Sequence, residues 1–114
     1  MRAVFIELPA FERHRKEYLD DNAYAALQQE LLRDPTAGDA ITGTGGLRKL
    51  HFGDSNRGKG KRGGLRVIYF WWERGRQYWF FTVYAKDEMA DLTPDDRKAL
   101  KSMIKQELAA RGAK

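Results

Sequence analysis

The chain has 114 residues, 42% of them hydrophobic, 12% aromatic and 32% charged, which suits one domain with a single core and is too short for two. Its formal charge of +5 is concentrated: Gly45 to Trp72 holds seven Lys and Arg against Asp54 alone, so that quarter carries +6 and the remainder −1, the footprint of a surface that meets polyphosphate. Cysteine is absent and the two histidines, His14 and His51, lie far apart, so disulfides, thiolate nucleophiles, a metal site and any cofactor are not expected.

Val4-Phe5-Ile6 is a short apolar run that ends at Pro9 and reads as a first strand. Phe11, Tyr18 and Leu19 follow at helical spacing, just after a proline welcome in a first helical turn. Asp20 or Asp21 can cap a second helix with the stripe Tyr24, Leu27 and Leu31, which must stop before Asp34-Pro35 because the residue before proline avoids helical angles. The glycine-rich stretch from Gly38 to Gly46 is a loop. Leu47 to Phe52 alternates as a strand, with Arg48, Leu50 and Phe52 on one face and Leu47, Lys49 and His51 on the other.

Leu65 to Trp72 and Gln77 to Tyr84 are rich in β-branched and aromatic residues, and Glu73-Arg74-Gly75-Arg76 joins them as a hairpin loop. Thr93, Pro94, Asp95 and Asp96 make a helix start, with Leu100, Met103, Ile104 and Leu108 as the stripe that docks it on the sheet. The class is α+β: a small antiparallel sheet, formed by an N-terminal strand and a three-stranded meander, with an N-terminal helix pair and a C-terminal helix, in a single domain over 1–114.

Two letter-matches in the basic loop fail on physical grounds. Gly53 to Lys59 fits the first seven positions of a phosphate loop, but Gly60 replaces the hydroxyl that holds magnesium and a strand follows where a helix N-terminus is needed. Gly58-x-Gly60-x-x-Gly63 matches the dinucleotide fingerprint, yet opens no helix. The glycines fit an antiparallel connection, and its Arg57, Lys59, Lys61 and Arg62 are expected to order on a phosphodiester backbone.

The order of elements and three patterns together resemble the RelE/ParE superfamily of bacterial toxins, most nearly its HigB-type members. These are Gly43-Thr44-Gly45-Gly46-Leu47-Arg48-Lys49, Gly58-Lys59-Gly60-Lys61-Arg62-Gly63-Gly64-x-Arg66-Val67-Ile68-Tyr69, and Tyr84-x-Lys86-x-Glu88-Met89-x-Asp91-Leu92. The resemblance implies a cytoplasmic toxin with no membrane partner: a ribosome-dependent endoribonuclease that cuts messenger RNA on the ribosome. A cognate HigA-type antitoxin with a helix-turn-helix would restrain it. The opening Met1 to Glu7, charged too soon for a signal peptide, and the want of an apolar run of roughly 18 residues agree with that location. Two other classes stay open, a non-catalytic ParE-like inhibitor of DNA gyrase and a single-stranded RNA-binding module.

Cutting RNA without metal requires a base for the 2′-hydroxyl, a clamp for charge on phosphorus and an acid for the 5′-oxygen. Arginine does not deprotonate and can only clamp; lysine can act as base or acid where like charges shift it. The resemblance places a phosphate-binding arginine at Arg66, in its Gly-x-Arg-hydrophobic pattern, and a basic catalytic residue at Lys86. Asp87 departs from the family pattern, since some relatives carry arginine there, and their terminal stacking tyrosine has no clear counterpart, so the proton-transfer roles stay open. Lys49 and His51 share a strand face and complete the catalytic candidates. Arg48, Arg57, Lys59, Lys61 and Arg62 are candidates for binding RNA, and Tyr84 could stack on an unpaired base.

Overall fold

A computed structural model describes residues 2–53, 64–88 and 92–112. The elements are β1 (Val4–Glu7), α1 (Pro9–Tyr18), α2 (Asp21–Arg33), β2 (Asp39–Ala40), β3 (Arg48–Phe52), β4 (Leu65–Trp72), β5 (Gln77–Ala85) and α3 (Pro94–Ala110). Among the described residues they form one sheet in the order β1-β5-β4-β3-β2, with α1 and α2 on one face and α3 on the other.

The local signals explain where the helices begin. Pro9 opens α1, and Asp20 caps α2 by accepting the Ala23 N–H at 2.7 Å. Thr93 and Asp96 form a reciprocal capping box at the start of α3: the Thr93 hydroxyl accepts from the Asp96 N–H at 3.1 Å and the Asp96 carboxylate from the Thr93 N–H at 2.9 Å.

The meander β3-β4-β5 is antiparallel, as the sequence suggests, but the whole sheet is mixed because β1 runs parallel to β5. A four-residue run carries no mark of its direction; packing sets it. Phe5 of β1 stacks on Tyr78 and Phe80 with ring centroids 4.9 and 5.7 Å apart, while Ile6 joins the opposite core. The two-residue β2, pairing Asp39 with Lys49 and Ala40 with Arg48, lies within the stretch read as loop. It is too short to leave an alternation in the sequence.

Alternation along β4 and β5 divides the core. Leu65, Val67, Tyr69, Tyr78 and Phe80 meet Phe11, Leu19, Tyr24, Leu27 and Leu31 of the helix pair. Ile68, Trp79, Phe81 and Tyr84 face α3, where Ile104 is buried and Leu100 and Leu108 are partly buried. Met103, expected in that stripe, is 41% exposed. It sits one residue from Ile104, roughly 100° around the helix, and so clears the sheet.

The register between β4 and β5 shifts at Ile68/Tyr69, where Ile68 opposes Thr82 but Tyr69 opposes Phe80. This bulge inverts the alternation of β5. Tyr78 and Phe80 face the helix pair, yet Tyr84 faces α3 although a regular strand would put all three on one side.

Tyr69 ties the sheet to the chain after α2. Its buried hydroxyl donates to the Pro35 carbonyl at 2.8 Å and accepts the Gly38 N–H at 3.1 Å, and a Cβ on Gly38 would come within 2.8 Å of the Tyr69 ring. Tyr69→Phe leaves both groups unsatisfied and is expected to cost about 1–3 kcal/mol. Chemical denaturation measures that loss.

Candidate active site

The backbone first sets a row of side chains across three strands. In the register, His51 of β3 lies opposite Arg66 of β4, and Arg66 lies opposite Tyr84 of β5. All three lie on the sheet face that meets α3, because Arg66 shares the parity of Ile68 and Phe70 and the bulge turns Tyr84 to the same side. One step along, Lys49 lies opposite Ile68 on one side and Asp39 on the other.

A cleft of about 330 Å³ opens on this face, lined by Asp39, Ala40, Ile41, Thr42, Lys49, His51 and Arg97. Its rim is shaped by the loop from Ile41 to Leu47, in which the Thr44 hydroxyl donates to the Ile41 carbonyl at 2.6 Å and accepts the Leu47 N–H at 3.2 Å. Gly46 there has φ of 122°, and a Cβ would approach the Phe70 ring to 2.9 Å, so only glycine fits.

Arg66 is 5% exposed, with Nη1 donating to the Leu65 carbonyl at 3.2 Å. A guanidinium held this way keeps its charge and acts through a medium of low dielectric constant, where it attracts an anion far more strongly than a surface charge does. Lys86 lies in the turn after β5, exposed, with its backbone N–H bonded to the Gly64 carbonyl at 3.1 Å, which anchors that turn beside the start of β4.

His51 reports on the assembly. Its pKa lies below the ordinary 6.5, first because burial disfavours the charged ring and then because Arg66, Lys49 and Lys86 repel a proton, with Asp39 acting in the opposite sense. The imidazole is therefore neutral at pH 7 and able to accept a proton. In the unfolded chain it titrates near 6.5, so as pH falls through that value the unfolded state takes up a proton that the native state refuses. Stability should fall on acidification from His51 alone. Replacement by glutamine is expected to flatten the stability-pH curve as pH falls through about 6.5, measured by urea midpoints.

Thus Lys49, Arg66 and Lys86 each come within electrostatic reach of His51. Arg48 does not join them. It projects to the helix-pair face, where Nη1 donates to the carbonyls of Gly38 at 2.8 Å and Thr36 at 3.5 Å. Neighbouring strand positions point to opposite faces, so Arg48 and Lys49 cannot share the cleft. Tyr84 is 5% exposed and packed with Leu92 and Phe81, an arrangement that covers the ring instead of offering a face to a base. Arg57, Lys59, Lys61 and Arg62 lie outside the described residues.

Sequence reasoning missed Asp39 and Arg97. Nothing marked Asp39, since β2 itself was not legible. Arg97 did leave a signal, because it precedes Leu100 by three residues and Ile104 by seven and so shares their helix face.

The family model described as the RelE toxin of the RelE/RelB toxin-antitoxin system matches residues 8–114, nearly the whole chain. The chain belongs to the RelE toxin family. The fold agrees: a mutant of the E. coli toxin RelE in the free state aligns with a TM-score of 0.51 at 19% identity, over 78% of this chain and 88% of that one. As a RelE toxin the chain is one component of a toxin-antitoxin system. Among the described residues no helix is long and apolar enough to cross a membrane.

Proposed function

We propose that this RelE-family toxin is a ribosome-dependent endoribonuclease of the HigB type, acting in the cytoplasm and restrained by a HigA-type antitoxin. The observation that carries the reading is the register row that sets the buried Arg66 directly beside a neutral His51. An inert anion-binding surface has no need of a base kept deprotonated among cations.

In this account His51 takes the proton from the 2′-hydroxyl as the 2′-oxygen attacks phosphorus. Arg66, with Lys49, holds the charge that gathers on the phosphoryl oxygens. Lys86, exposed on its turn, gives a proton to the 5′-oxygen as the bond from phosphorus to that oxygen breaks. The products are a 2′,3′-cyclic phosphate and a free 5′-hydroxyl. Each acid or base step is worth about 10²–10⁴-fold and a positioned charge clamp about 10²–10³-fold. Arg57, Lys59, Lys61 and Arg62 would add phosphate contacts, since their segment leaves from the end of β3 and returns to the start of β4, both ends adjoining the His51-Arg66 pair. Arg48 and Tyr84, in this reading, support the site by packing.

Incubation of the purified toxin with a translating extract, followed by mapping of message ends, tests the proposal. The expected result is cleavage that requires translation and leaves 5′-hydroxyl ends. Intact messages together with inhibited DNA supercoiling would overturn it in favour of a gyrase inhibitor. Binding to single-stranded RNA with no cleavage of messages in the translating extract would reduce it to a binding module.

A further inference from the structure

We infer that Arg97 of α3 is a further substrate-contacting cation, which grips the RNA phosphodiester from the helix side of the cleft while Lys49 meets it from the sheet side. The inference rests on the nuclease reading above and gives it a residue outside the catalytic candidates named so far.

Three independent observations converge on Arg97. It lines the same cleft as Lys49 and His51, although it comes from a different element. Its Nε is buried and has no hydrogen-bond partner among the described residues. An arginine Nε that is shut away from water and left unpaired is a costly arrangement unless an acceptor arrives in function. Finally, Arg97 sits in the opening turns of α3, close behind Asp95 and Asp96, at the end of the helix where the dipole favours anions and a cation gains nothing.

Neither Asp96, its neighbour in the chain, nor Asp39, which shares the cleft, accepts from that Nε. Asp96 is spent on the capping box with Thr93. Asp39 lines the cleft too and lies opposite Lys49 in the strand register. A phosphodiester supplies what is missing. Its two non-bridging oxygens match the planar fork of a guanidinium, and the cleft, at about 330 Å³, falls within the range of small-ligand sites. A phosphate bridging Arg97 and Lys49 would also hold α3 against β3, which links substrate binding to the position of the helix.

The test uses the intact toxin and a short single-stranded RNA carrying 2′-deoxy sugars, which it cannot cleave. Binding is followed by fluorescence anisotropy over a range of salt concentrations for the wild type, Arg97→Gln, Arg97→Lys and Arg74→Gln. Arg74, on the exposed hairpin, controls for simple loss of charge. Arg97→Gln is expected to weaken binding by about tenfold and to lower the slope of log affinity against log salt by about one. Arg97→Lys should fall between it and the wild type, with Arg74→Gln close to the wild type.

Equal affinity and slope for Arg97→Gln and wild type would overturn the inference. So would equal losses of thermal stability in Arg97→Gln and Asp39→Asn with binding unchanged, since that pattern marks a structural ion pair. Message cleavage, measured in parallel, separates the two claims. Arg97-dependent binding without any cleavage by the wild type would sink the nuclease reading and leave the inference standing; cleavage with Arg97-independent binding would do the reverse.

Discussion

Arg66→Lys is expected to lower messenger cleavage by on the order of 10²–10³-fold, with the protein still folded. The substitution keeps the positive charge but loses the planar fork, and its shorter reach moves the charge away from the phosphoryl oxygens. Arg66 is 5% exposed and its Nη1 donates to the Leu65 carbonyl, which fixes where the guanidinium sits. Single-turnover cleavage on translating ribosomes, with the thermal midpoint measured on the same preparation, separates a catalytic loss from unfolding. A variant that is folded and cleaves at the wild-type rate would remove Arg66 from the mechanism.

Phe80→Ala is expected to destabilise the fold by about 3–5 kcal/mol, the range for emptying a buried aromatic position. Phe80 is completely buried and stacks on Phe11 at 4.7 Å and on Phe5 at 5.7 Å, with Tyr24 at 6.0 Å. One ring thus joins β1, α1 and α2 to β5. Its removal leaves a cavity that no single neighbour can fill without breaking a stack elsewhere. Because a whole domain is worth only about 5–15 kcal/mol, the loss should appear as a large drop in denaturation midpoint. A loss below about 1 kcal/mol would mean that the aromatic stack is not what fixes β1 and the helix pair.

The parts of the fold that were legible in the sequence are those governed by neighbours in the chain. Thr93 and Pro94 mark the start of α3 because a cap and a first-turn proline act over four residues. The spans of β4 and β5, and the stripe Tyr24, Leu27 and Leu31, follow from periodicity in the same way. What stayed hidden depends on contacts across the chain. The parallel course of β1 is set by the stack of Phe5 on Tyr78, and β2 exists only because Asp39 and Ala40 find β3.

The bulge at Ile68/Tyr69 is the most consequential of these features for the site. Simple alternation along Gln77 to Ala85 would send Tyr84 to the helix-pair face, away from Arg66. Within the site, alternation alone separates Lys49 and His51 from Arg48, whereas the burial of Arg66 and the cleft contact of Arg97 required the third dimension. A charge count finds the basic quarter of the chain; it does not tell which cations share a face.

The absence of native cysteine makes the central claim, that RNA runs along the α3 side of the sheet, directly testable. Thr42→Cys places one exposed thiol on the cleft rim, and Thr36→Cys places another on the opposite side beside Arg48. Each is modified with a short photoreactive label, and crosslinks to messenger on stalled ribosomes are then quantified. The account predicts strong crosslinking from Thr42→Cys and little from Thr36→Cys. The reverse pattern would contradict it.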